Sequence, residues 1–501
     1  MITGSEVKVL DINSDFYGVS TINLMENAGK NVADFVMNKL KPKKILVLCG
    51  TGNNGGDGFV AARHLSKKFE VTVFLTGNPE DIKTDLSKKN FKRLKNVKIY
   101  NITSLEKIDE LLDEHDLIID SMLGIGLSGD LREPYKTIVK KINSLKNKTI
   151  VSVDIATGFG TKTAIEPDYT ITFHDQKYGM NKKNSGEIMV ADIGIPKKAV
   201  EYVGPGELKV YYPRPKKESH KGDNGRLLVV GGGPYYGAPA LSSFAAQRTG
   251  IDLVYVATPK KVAKAITSYS PLLIKSVRLA KEMAKLSPTL IVKELRDKDI
   301  LVLADVEVIK NLIKKTDALL IGPGLGDAPD SQKAVKEIIE LFVKSQKPIV
   351  IDADAIKIVG KNHNIIKNSK TVLTPHSGEF NELTGVKLSN NLDERKKRVK
   401  EWAKKLGVTI VLKGPIDIIS NGIETKLNDI HNEAMTVGGT GDVLAGIIGA
   451  LLSKGIKPFD AARIGIFVNG EAGNFAFKKR SYGLVATDVI DEIPNVLKKY
   501  L

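Results

Sequence analysis

The sequence contains very little cysteine and no long apolar run. Cys49 is the single cysteine among 501 residues, so the chain cannot form an internal disulfide, and this favours a reducing compartment. No apolar run approaches the ~18–20 residues of a membrane-spanning helix. The first residues, MITGSEVKVLDINSDFYG, have neither the apolar core nor the cleavage site of a secretory signal. We therefore expect a cytoplasmic protein with no membrane partner.

Proline is not in excess, and the composition excludes a disordered chain. The sequence has 20 prolines, with 42% hydrophobic and 27% charged residues. At ~150 residues per domain, its length predicts three domains, or two larger α/β domains. Lys and Arg outnumber Asp and Glu by 75 to 58, a net charge of +17. This surplus indicates an anionic partner: nucleic acid, anionic lipid or a phosphorylated metabolite.

Two basic segments could contact nucleic acid, but their apolar residues indicate ordinary surface helices. These segments are KKNFKRLKNVK (88–98) and DERKKRVKEWAKKLG (393–407). Apolar residues recur at helical spacing in both, so the lysines and arginines are expected to form solvated helix faces. No zinc-knuckle, RRM or KH signature is present. We therefore expect no nucleic-acid partner.

The first half of the chain alternates short β-branched runs with helical stretches, which predicts βαβ units and a buried parallel sheet. The predicted strands are 43–50, 70–77, 97–102, 116–124, 148–155, 169–174 and 186–193. Around 204–224 the pattern stops, and this proline-containing stretch is interpreted as a linker or crossover. The rhythm resumes with 225–233, 252–259, 317–326, 347–356, 370–376 and 408–414. The halves share no repeat, so they predict two different α/β domains.

Polar residues cluster where three strands of the first half end. A Gly-rich turn, GTGNNGGDGF (50–59), follows the first strand, while Asp120 ends another and Asp154 and Thr157 follow a third. Backbone N–H groups at such a turn favour an anion, and ligands bind at the carboxyl ends of parallel strands. The turn is neither a P-loop nor a clean dinucleotide fingerprint. Asn54, Asp120 and Thr157 offer hard oxygen atoms, which suit a group I or II cation rather than zinc.

These motifs, together with MENAG (25–29), resemble the YjeF N-terminal domain, the NAD(P)H-hydrate epimerase family. The resemblance implies a Rossmann-like three-layer αβα domain over 1–212 that interconverts the R and S epimers of hydrated NAD(P)H. It also implies a K⁺ ion held by Asn54, Asp120 and Thr157, where the family has Ser or Thr at position 157. The implied substrate contacts are Asp154 and two loops: Asn53, Asn54, Gly55, Gly56 and Asp57, and Gly124, Ile125, Gly126, Leu127, Ser128, Gly129 and Asp130.

Epimerisation at C6 needs a group that moves protons beside a dry, anchored ring. We expect Asp154 to be that catalytic residue; its alternative role is to hydrogen-bond the turn at Gly158–Gly160. Lys177 could be a further polar contact, although the sequence favours a surface lysine.

The second half carries a Gly-rich turn before an apolar helix, in NEAMTVGGTGDVLAGIIGALL (432–452). The N–H groups of Gly438–Gly441 predict an anion hole at the helix N-terminus. Asp442 lies in the first turn, where a carboxylate beside phosphate is unfavourable unless it accepts a proton; the alternative is an N-cap. His376 follows a strand-ending proline and is placed for ligand contact, or is structural. Asp352 and Asp354 could help place Mg²⁺ or form a turn.

The GTGD pattern resembles the ribokinase-like fold, and the wider motif set resembles the YjeF C-terminal domain, the NAD(P)H-hydrate dehydratases. Gly232-Gly233 departs from the Gly-Ser that the family usually has at that position. The resemblance implies a ribokinase-like αβα domain over 213–501 in which Asp442 is the catalytic base. The implied substrate contacts are Ala238, Gly324, His376 and Asp442, and the implied nucleotide contacts are Lys413, Gly414, Pro415, Ile416 and Asp417, and Asn432, Glu433, Ala434, Met435, Thr436, Val437, Gly438, Gly439, Thr440 and Gly441.

Both resemblances together imply a bifunctional repair enzyme with K⁺ in the first site and Mg²⁺ with ADP in the second. Its small-molecule ligands would be NADHX or NADPHX and ADP, which is the nucleotide that bacterial and archaeal members use, and a homo-oligomer is expected. The alternative function is a ribokinase-type small-molecule kinase with a non-catalytic nucleotide-binding N-terminal domain.

Overall fold

A computed structural model describes residues 1–126, 129–268 and 290–501. The described chain divides into two units, Met1–Val200 and Glu201–Leu501. No helix among the described residues is long and apolar enough to cross a membrane. Two of the predicted substrate contacts, Leu127 and Ser128, lie outside the described residues.

The first unit is built on seven parallel strands, in the order β3-β2-β1-β4-β5-β6-β7. These strands are β1 (Lys44–Cys49), β2 (Glu70–Leu75), β3 (Lys98–Asn101), β4 (Leu117–Ser121), β5 (Thr149–Val153), β6 (Tyr169–Phe173) and β7 (Glu187–Ala191). All seven predicted strands are confirmed. The helices are α1 (Gly4–Phe16), α2 (Thr21–Phe35), α3 (Asn53–Leu65), α4 (Asp85–Lys92), α5 (Ile108–Glu114), α6 (Tyr135–Asn143), α7 (Lys182–Ser185) and α8 (Lys197–Glu201).

Both faces of this sheet are buried, because alternate residues of its central strands point to opposite helix layers. In β1, Ile45 and Val47 pack towards α2 and α3, whereas Leu46 and Leu48 pack towards α5 and α6. The result is the three-layer αβα arrangement of the Rossmann-like class. Since every strand runs in the same direction, the loops after β1, β4 and β5 leave the same edge of the sheet.

The second unit holds a nine-stranded sheet in the order β10-β9-β8-β11-β12-β13-β14-β15-β16. Its strands are β8 (Arg226–Val230), β9 (Leu253–Thr258), β10 (Ile291–Glu294), β11 (Ala318–Ile321), β12 (Ile349–Ile351), β13 (Thr371–Leu373), β14 (Thr409–Leu412), β15 (Asp417–Ser420) and β16 (Thr425–Asn428). The six predicted strands of this half are confirmed. Sequence reasoning missed β10 and the antiparallel pair β15 and β16.

Helices cover both faces of the second sheet, which gives a ribokinase-like αβα domain. Two buried apolar clusters lie on the opposite faces, so that Leu227 and Val229 belong to one and Leu228 and Val230 to the other. The helices are α9 (Pro205–Tyr211), α10 (Gly237–Arg248), α11 (Lys260–Ser268), α12 (Val306–Ile313), α13 (Pro329–Lys344), α14 (Asp354–Lys361), α15 (Ser377–Thr384), α16 (Leu392–Leu406), α17 (Thr440–Ser453), α18 (Pro458–Arg480) and α19 (Ala486–Tyr500).

The first residues of the stretch interpreted as a linker are folded into the second unit, where they form helix α9. Tyr202 bridges to Leu427, and Glu207 of helix α9 forms a buried ion pair with Arg463, with 3.6 Å between the charged atoms. Proline at the first position of α9 and its glutamate three residues after Gly204 are ordinary helix-start features. The structure therefore divides the chain after Val200, rather than after Tyr212 as the sequence predicted.

Candidate active sites

The Gly-rich turn of the first unit is a tightly packed helix start rather than an open loop. Helix α3 begins at Asn53, so Gly55 and Gly56 lie in its first turn. A Cβ on Gly55 would lie 1.9 Å from the carbonyl oxygen of Gly50, and one on Gly50 would lie 1.7 Å from that of Met122. Glycine is therefore required here for close backbone approach. The turn places Asn53, Asn54 and Asp57 at the carboxyl edge of the sheet.

The MENAG motif lies on α2, which packs against α3 and holds it in place. Glu26 of α2 accepts hydrogen bonds from Arg63 and His64 of α3, the latter at 2.8 Å. Burial raises the pKa of Glu26, but the hydrogen bonds from His64 and Arg63 outweigh it and lower the pKa overall. Asn27 donates to the carbonyl of Ile193 at 2.9 Å. Within the first unit, these contacts make MENAG a positioning motif for α3.

Asp120 at the end of β4 is fully buried and accepts four hydrogen bonds. Its donors are the Ser152 hydroxyl at 2.9 Å, the Thr157 amide at 2.8 Å, the Thr157 hydroxyl at 2.6 Å and the Met122 amide at 3.3 Å. Burial raises the pKa of Asp120, and the hydrogen bonds from Thr157 and Ser152 oppose that rise. The structure thus brings together two of the three predicted cation ligands.

Asn54, the third predicted cation ligand, is held beside them by Ser121, whose hydroxyl donates to the Asn54 carbonyl. The side-chain nitrogen of Asn54 is buried and has no hydrogen-bond partner among the described residues. Buried polar atoms are normally paired, and because an amide nitrogen is a donor, this one marks a place that a hydrogen-bond acceptor of the substrate would complete. Asp120, Thr157 and Asn54 together supply carboxylate, hydroxyl and amide oxygens, which are the donors that hard cations take. The residues present therefore fit a K⁺ ion.

Asp154 follows β5 in a left-handed backbone conformation, with φ of 62°, and is ion-paired with Lys177. The Lys177 side chain is only 4% exposed. The expectation of a surface lysine was therefore wrong, because residues 172–177 turn its ammonium inward to meet the Asp154 carboxylate. Asp154 also accepts from the Thr172 hydroxyl at 3.3 Å and the Phe173 amide at 3.2 Å. Its hydrogen bonds thus go to β6 and Lys177 instead of the turn at 158–160.

Two further carboxyl groups interact electrostatically with this ion pair. Asp57 has no side-chain hydrogen bond to any residue that the structure describes, and burial together with Asp154 and Asp11 raises its pKa well above the ordinary value. Asp11 of α1 is mostly buried, and its carboxyl interacts electrostatically with Asp154 and Lys177. Sequence reasoning missed Asp11, and no motif in its surroundings marks it. Gly129 and Asp130, at the end of the predicted substrate loop, are exposed.

In the second unit, a cavity of about 620 Å³ opens at the carboxyl edge of the sheet. Three of the four predicted substrate contacts line it, namely Ala238, Gly324 and Asp442. Gly438 and Gly439, from the predicted nucleotide set, line it as well, as does Asp354. His376 is not among the lining residues. It is the N-cap of helix α15, where its ring nitrogen accepts from the amides of Gly378 and Glu379 at 2.9 and 3.2 Å.

Asp442 lies in the first turn of α17 but does not cap it. The N-cap is Gly439, in the left-handed conformation with φ of 96°, and no side chain caps the helix. The N-cap alternative for Asp442 is therefore wrong. Burial, with the neighbouring carboxylates of Asp352 and Glu379, raises the pKa of Asp442 to about 7, while Lys413 opposes the rise. A carboxyl with this pKa is suited to accept a proton near neutral pH.

Lys413 connects the two predicted nucleotide segments. Its ammonium lies 3.0 Å from Asp352 and 3.8 Å from Glu379, and a Cβ on Gly441 would lie 3.4 Å from it. Burial lowers the pKa of Lys413, but Asp352 and Glu379 outweigh it and raise the pKa overall, so the side chain stays charged. A fixed positive charge thus stands beside the N-terminus of α17, where the backbone already favours an anion.

The remaining predicted nucleotide residues are arranged around short turns. Asp417 accepts from the Gly414 amide at 2.9 Å and from the Asn428 side chain at 2.9 Å. Asn432 starts the turn Glu433–Thr436 and donates to Asn474 at 3.0 Å. His431 lies 3.6 Å from Asp417, and sequence reasoning missed it.

Comparisons with known proteins match both halves of the chain. The family model described as YjeF-related protein N-terminus matches residues 21–179, and the one described as NAD(P)H-hydrate dehydratase matches 227–495. A bifunctional NAD(P)H-hydrate repair enzyme, Nnr, from Archaeoglobus fulgidus is 39% identical, covering 99% of this chain and 98% of that protein. The Nnr of Hyperthermus butylicus is 37% identical, covering 99% and 92%.

A solved ribokinase-like superfamily protein from Enterococcus faecalis is 26% identical over 60% of this chain and 96% of its own, with a TM-score of 0.48. The curated relatives match both halves of the chain and are named as repair enzymes, so they do not support the kinase alternative. Two family models in the same order, and relatives above 30% identity over almost the whole chain, establish the family: the chain belongs to the bifunctional NAD(P)H-hydrate repair enzymes.

Proposed function

We propose that this protein repairs hydrated NAD(P)H in two steps. The first unit interconverts the R and S epimers at C6 of the damaged nicotinamide ring. The second unit dehydrates the S epimer in a reaction that converts ADP to AMP and phosphate. The observation that carries this proposal is the cavity of the second unit, which Asp442 lines without capping its helix. The pKa of Asp442 is raised to about 7, so its carboxylate can accept a proton near neutral pH. A homo-oligomer and a cytoplasmic location stay predictions.

In the dehydration step, Asp442 takes the proton of the C6 hydroxyl, and the oxygen attacks the terminal phosphate of ADP, releasing AMP. The C6–O bond then breaks as phosphate leaves, with the ring nitrogen lone pair forming a C=N bond, and loss of a proton from C5 to the departing phosphate or to water restores the dihydropyridine ring. The amides at Gly438–Gly441 and the charge of Lys413 would hold the transferring phosphate. Bringing the hydroxyl and the phosphate together in one cavity supplies much of the remaining acceleration.

A Mg²⁺ ion fits the second site beside the nucleotide. Asp354 lines the cavity, and its Oδ2 accepts from the Gly326 amide at 2.8 Å. Among the described residues, its Oδ1 has only a long ion pair with Lys357, at 3.9 Å, which a bound cation would replace. Mg²⁺ is commonly held by one or two carboxylates together with substrate phosphates. When bound, it would neutralise charge on the phosphates of ADP. Asp352 is a weaker candidate because it is not among the residues that line the cavity, and its Oδ1 already accepts from both Lys413 and Thr374.

In the epimerisation step, the hydroxyl leaves C6 and water adds on the opposite face. Asp154 is the proposed proton carrier because it lies at the carboxyl edge of the sheet, where the buried side chain of Lys177 holds its carboxyl group in place through an ion pair. The first turn of α3 and the loop that starts at Gly124 would bind the substrate. Asn54, Asp120 and Thr157 would hold K⁺, which would supply a fixed positive charge beside the substrate.

The test of the whole function uses chemically hydrated NADH with the R and S forms separated. With the full chain and ADP, both forms should return to NADH, which is measured by its near-ultraviolet absorbance, and AMP and phosphate should appear in equal amounts. Recovery of the S form alone would mean that the epimerase half is inactive. Recovery of neither form, or a stable phosphorylated product, would contradict the proposal.

Replacing K⁺ by Na⁺ at constant ionic strength is expected to slow R-to-S exchange and leave dehydration of the S form unchanged. The reason is that the oxygen set around Asp120 belongs to the first unit only. Chromatography of the two epimers measures the exchange, and the S-form assay with ADP is the control. An exchange rate that does not respond to the cation would contradict the K⁺ assignment.

A further inference from the structure

Asp154, which follows β5, lies at the centre of a strained three-residue turn. Its φ is 62°, and the amide of Ile155 donates to the carbonyl of Val153 at 2.7 Å, which is the hydrogen bond of a γ-turn. The form of this turn with positive φ is rare, and such backbone strain persists where the surrounding structure holds it, often at functional sites. The Asp154 amide donates to the carbonyl of Ile171 at 2.8 Å, so the turn is fixed against β6.

The two oxygen atoms of the Asp154 carboxyl group have different surroundings. Oδ1 accepts hydrogen bonds from the Lys177 ammonium, from the Thr172 hydroxyl at 3.3 Å and from the Phe173 amide at 3.2 Å. Oδ2 accepts from no residue that the structure describes, and it does not belong to the buried unpaired atoms of the described chain, so it is open to solvent. One oxygen is therefore held by the protein, and the other is left to meet a ligand.

Lys177 reaches Asp154 because a second turn of the same kind follows β6. His174 has a φ of 65°, and the amide of Asp175 donates to the carbonyl of Phe173 at 2.8 Å. This turn reverses the chain directly after the strand. The side chain of Lys177 therefore points back to the end of β6, beside Asp154.

The backbone on both sides of Lys177 is paired with Ile2. The amide of Ile2 donates to the carbonyl of Gln176 at 2.9 Å, and the carbonyl of Ile2 accepts from the amide of Tyr178 at 3.2 Å. Ile2 and Lys177 thus form a parallel bridge. These hydrogen bonds fix the backbone from which the lysine side chain extends to Asp154.

The ammonium of Lys177 has no donor left for a substrate. It donates to Oδ1 of Asp154, to the Thr172 hydroxyl at 2.9 Å and to the Phe173 carbonyl at 2.9 Å. An ammonium has three N–H groups, so all of them are committed to the protein. The side chain is also only 4% exposed, whereas that of Asp154 is 13% exposed. Lys177 therefore acts on the site through Asp154 and not by touching the substrate.

We propose that Lys177 and Thr172 are positioning residues of the epimerase, which hold Oδ1 of Asp154 so that Oδ2 is the oxygen that takes the proton. This assignment rests on the proposed epimerase function. The C6 hydroxyl leaves as hydroxide while the ring nitrogen lone pair forms a C=N bond. Water then adds to C6, the C=N electron pair returns to nitrogen, and Oδ2 accepts the proton that the water loses. Oδ2 passes this proton to the hydroxide that left, so nothing is oxidised or reduced.

The three donors on Oδ1 set the plane of the carboxyl group. With one oxygen fixed, the group cannot rotate about its Cβ–Cγ bond, and Oδ2 keeps one direction towards the substrate. Misplacement of a reacting group by about 1 Å can lower a rate about 100-fold, whereas binding of the substrate does not depend on it. A positioning role therefore predicts a loss of kcat with little change in KM.

The first test compares Thr172→Val with Thr170→Val in the full chain. Both threonines are buried on β6, but the hydroxyl of Thr170 donates to the Ser185 carbonyl at 2.6 Å and not to the site. R-to-S exchange is followed by chromatography without ADP. Thr172→Val should lower kcat about 10-fold with KM unchanged, because it removes one hydrogen bond from Oδ1 and one acceptor from Lys177. Thr170→Val should match the wild type, and Thr172→Ser should restore its kcat.

The second test removes the lysine and supplies its ammonium from solution. Lys177→Ala should lower kcat about 100-fold, whereas Lys183→Ala, at an exposed lysine of the same unit, should not. Propylammonium has the three carbon atoms and the nitrogen that the substitution removes, and it should restore part of the exchange. Propanol fills the same space without the charge and should not restore it.

Thermal unfolding of each variant shows whether the first unit is folded, and if Lys177→Ala unfolds it, the two threonine variants decide alone. The assignment is overturned if Thr172→Val matches Thr170→Val, if the loss appears in KM rather than kcat, or if propylammonium restores no more exchange than propanol. If the wild type does not exchange the epimers at all, the proposed function itself fails. Exchange by the wild type together with any of the other outcomes contradicts only the positioning role.

Discussion

Asp442→Asn is expected to abolish ADP-dependent dehydration of the S epimer while R-to-S exchange continues. Asparagine has nearly the same shape but cannot take the hydroxyl proton, and loss of such a base lowers rates about 10²–10⁴-fold. Asp442 does not cap its helix, so the substitution should leave the start of α17 intact. The measurement is NADH formation from the pure S form with saturating ADP.

The pH profile provides a second, independent sign of the same role. Because Asp442 must be ionised to act as a base and its pKa is raised to about 7, kcat/KM for dehydration should rise with pH through that value. Asp393→Asn is the matched control, since Asp393 also lies in the first turn of a helix but is 88% exposed. Wild-type dehydration by Asp442→Asn, or an activity that does not change around pH 7, would contradict the base assignment.

Asp154→Asn is expected to have the opposite effect, stopping epimer exchange while the S form is still dehydrated. The substitution removes the carboxylate that accepts the proton from the attacking water. It also leaves the ammonium of Lys177 buried without its counter-charge, and breaking a buried ion pair in this way costs about 3–5 kcal/mol. We therefore expect a lower free energy of unfolding for the first unit as well as a loss of exchange.

Two measurements separate chemistry from stability in this variant. Exchange is measured at a temperature below the unfolding transition of Asp154→Asn, and Asp113→Asn, an exposed carboxylate of the same unit, is the control. Adding Lys177→Met to Asp154→Asn removes the unpaired charge and should recover stability but not exchange. Recovery of exchange in the double variant would mean that Asp154 acts only as a counter-charge, and loss of dehydration in either single variant would contradict two separate sites.

The parallel sheets and the edge that carries the sites could be predicted from the sequence. Short β-branched runs that are buried on both faces predict strands. Because the strands of the first unit all run in the same direction, Asp120, Asp154 and Thr157 lie at the same edge of its sheet. The hydrogen bonds between Asp120 and Thr157 bear this out. The motif before α17 likewise placed Asp442 at a helix start that faces a cavity.

Other features depended on contacts that local patterns do not encode. Strand β15 begins only four residues after β14, and β16 contains a single apolar residue, so neither stands out as a separate apolar run, although Asn421-Gly422 between them is a hairpin signal. Lys177 looked like a surface residue because a lysine near a chain turn usually is one. Its burial follows from the return of residues 172–177 to Asp154, which the sequence does not specify.

The sequence by itself determined the order of the two α/β domains, the strand ends that carry polar groups and the family to which these motifs belong. Those features are local, since periodicity, glycine turns and strand-ending carboxylates are fixed within a few residues of chain. Only the tertiary structure decided that Asp11, Asp57, Asp154 and Lys177 form one charged cluster and that Lys413 stands beside Asp442. Their protonation depends on burial and on charges brought from distant segments, and these exist only once the chain has folded.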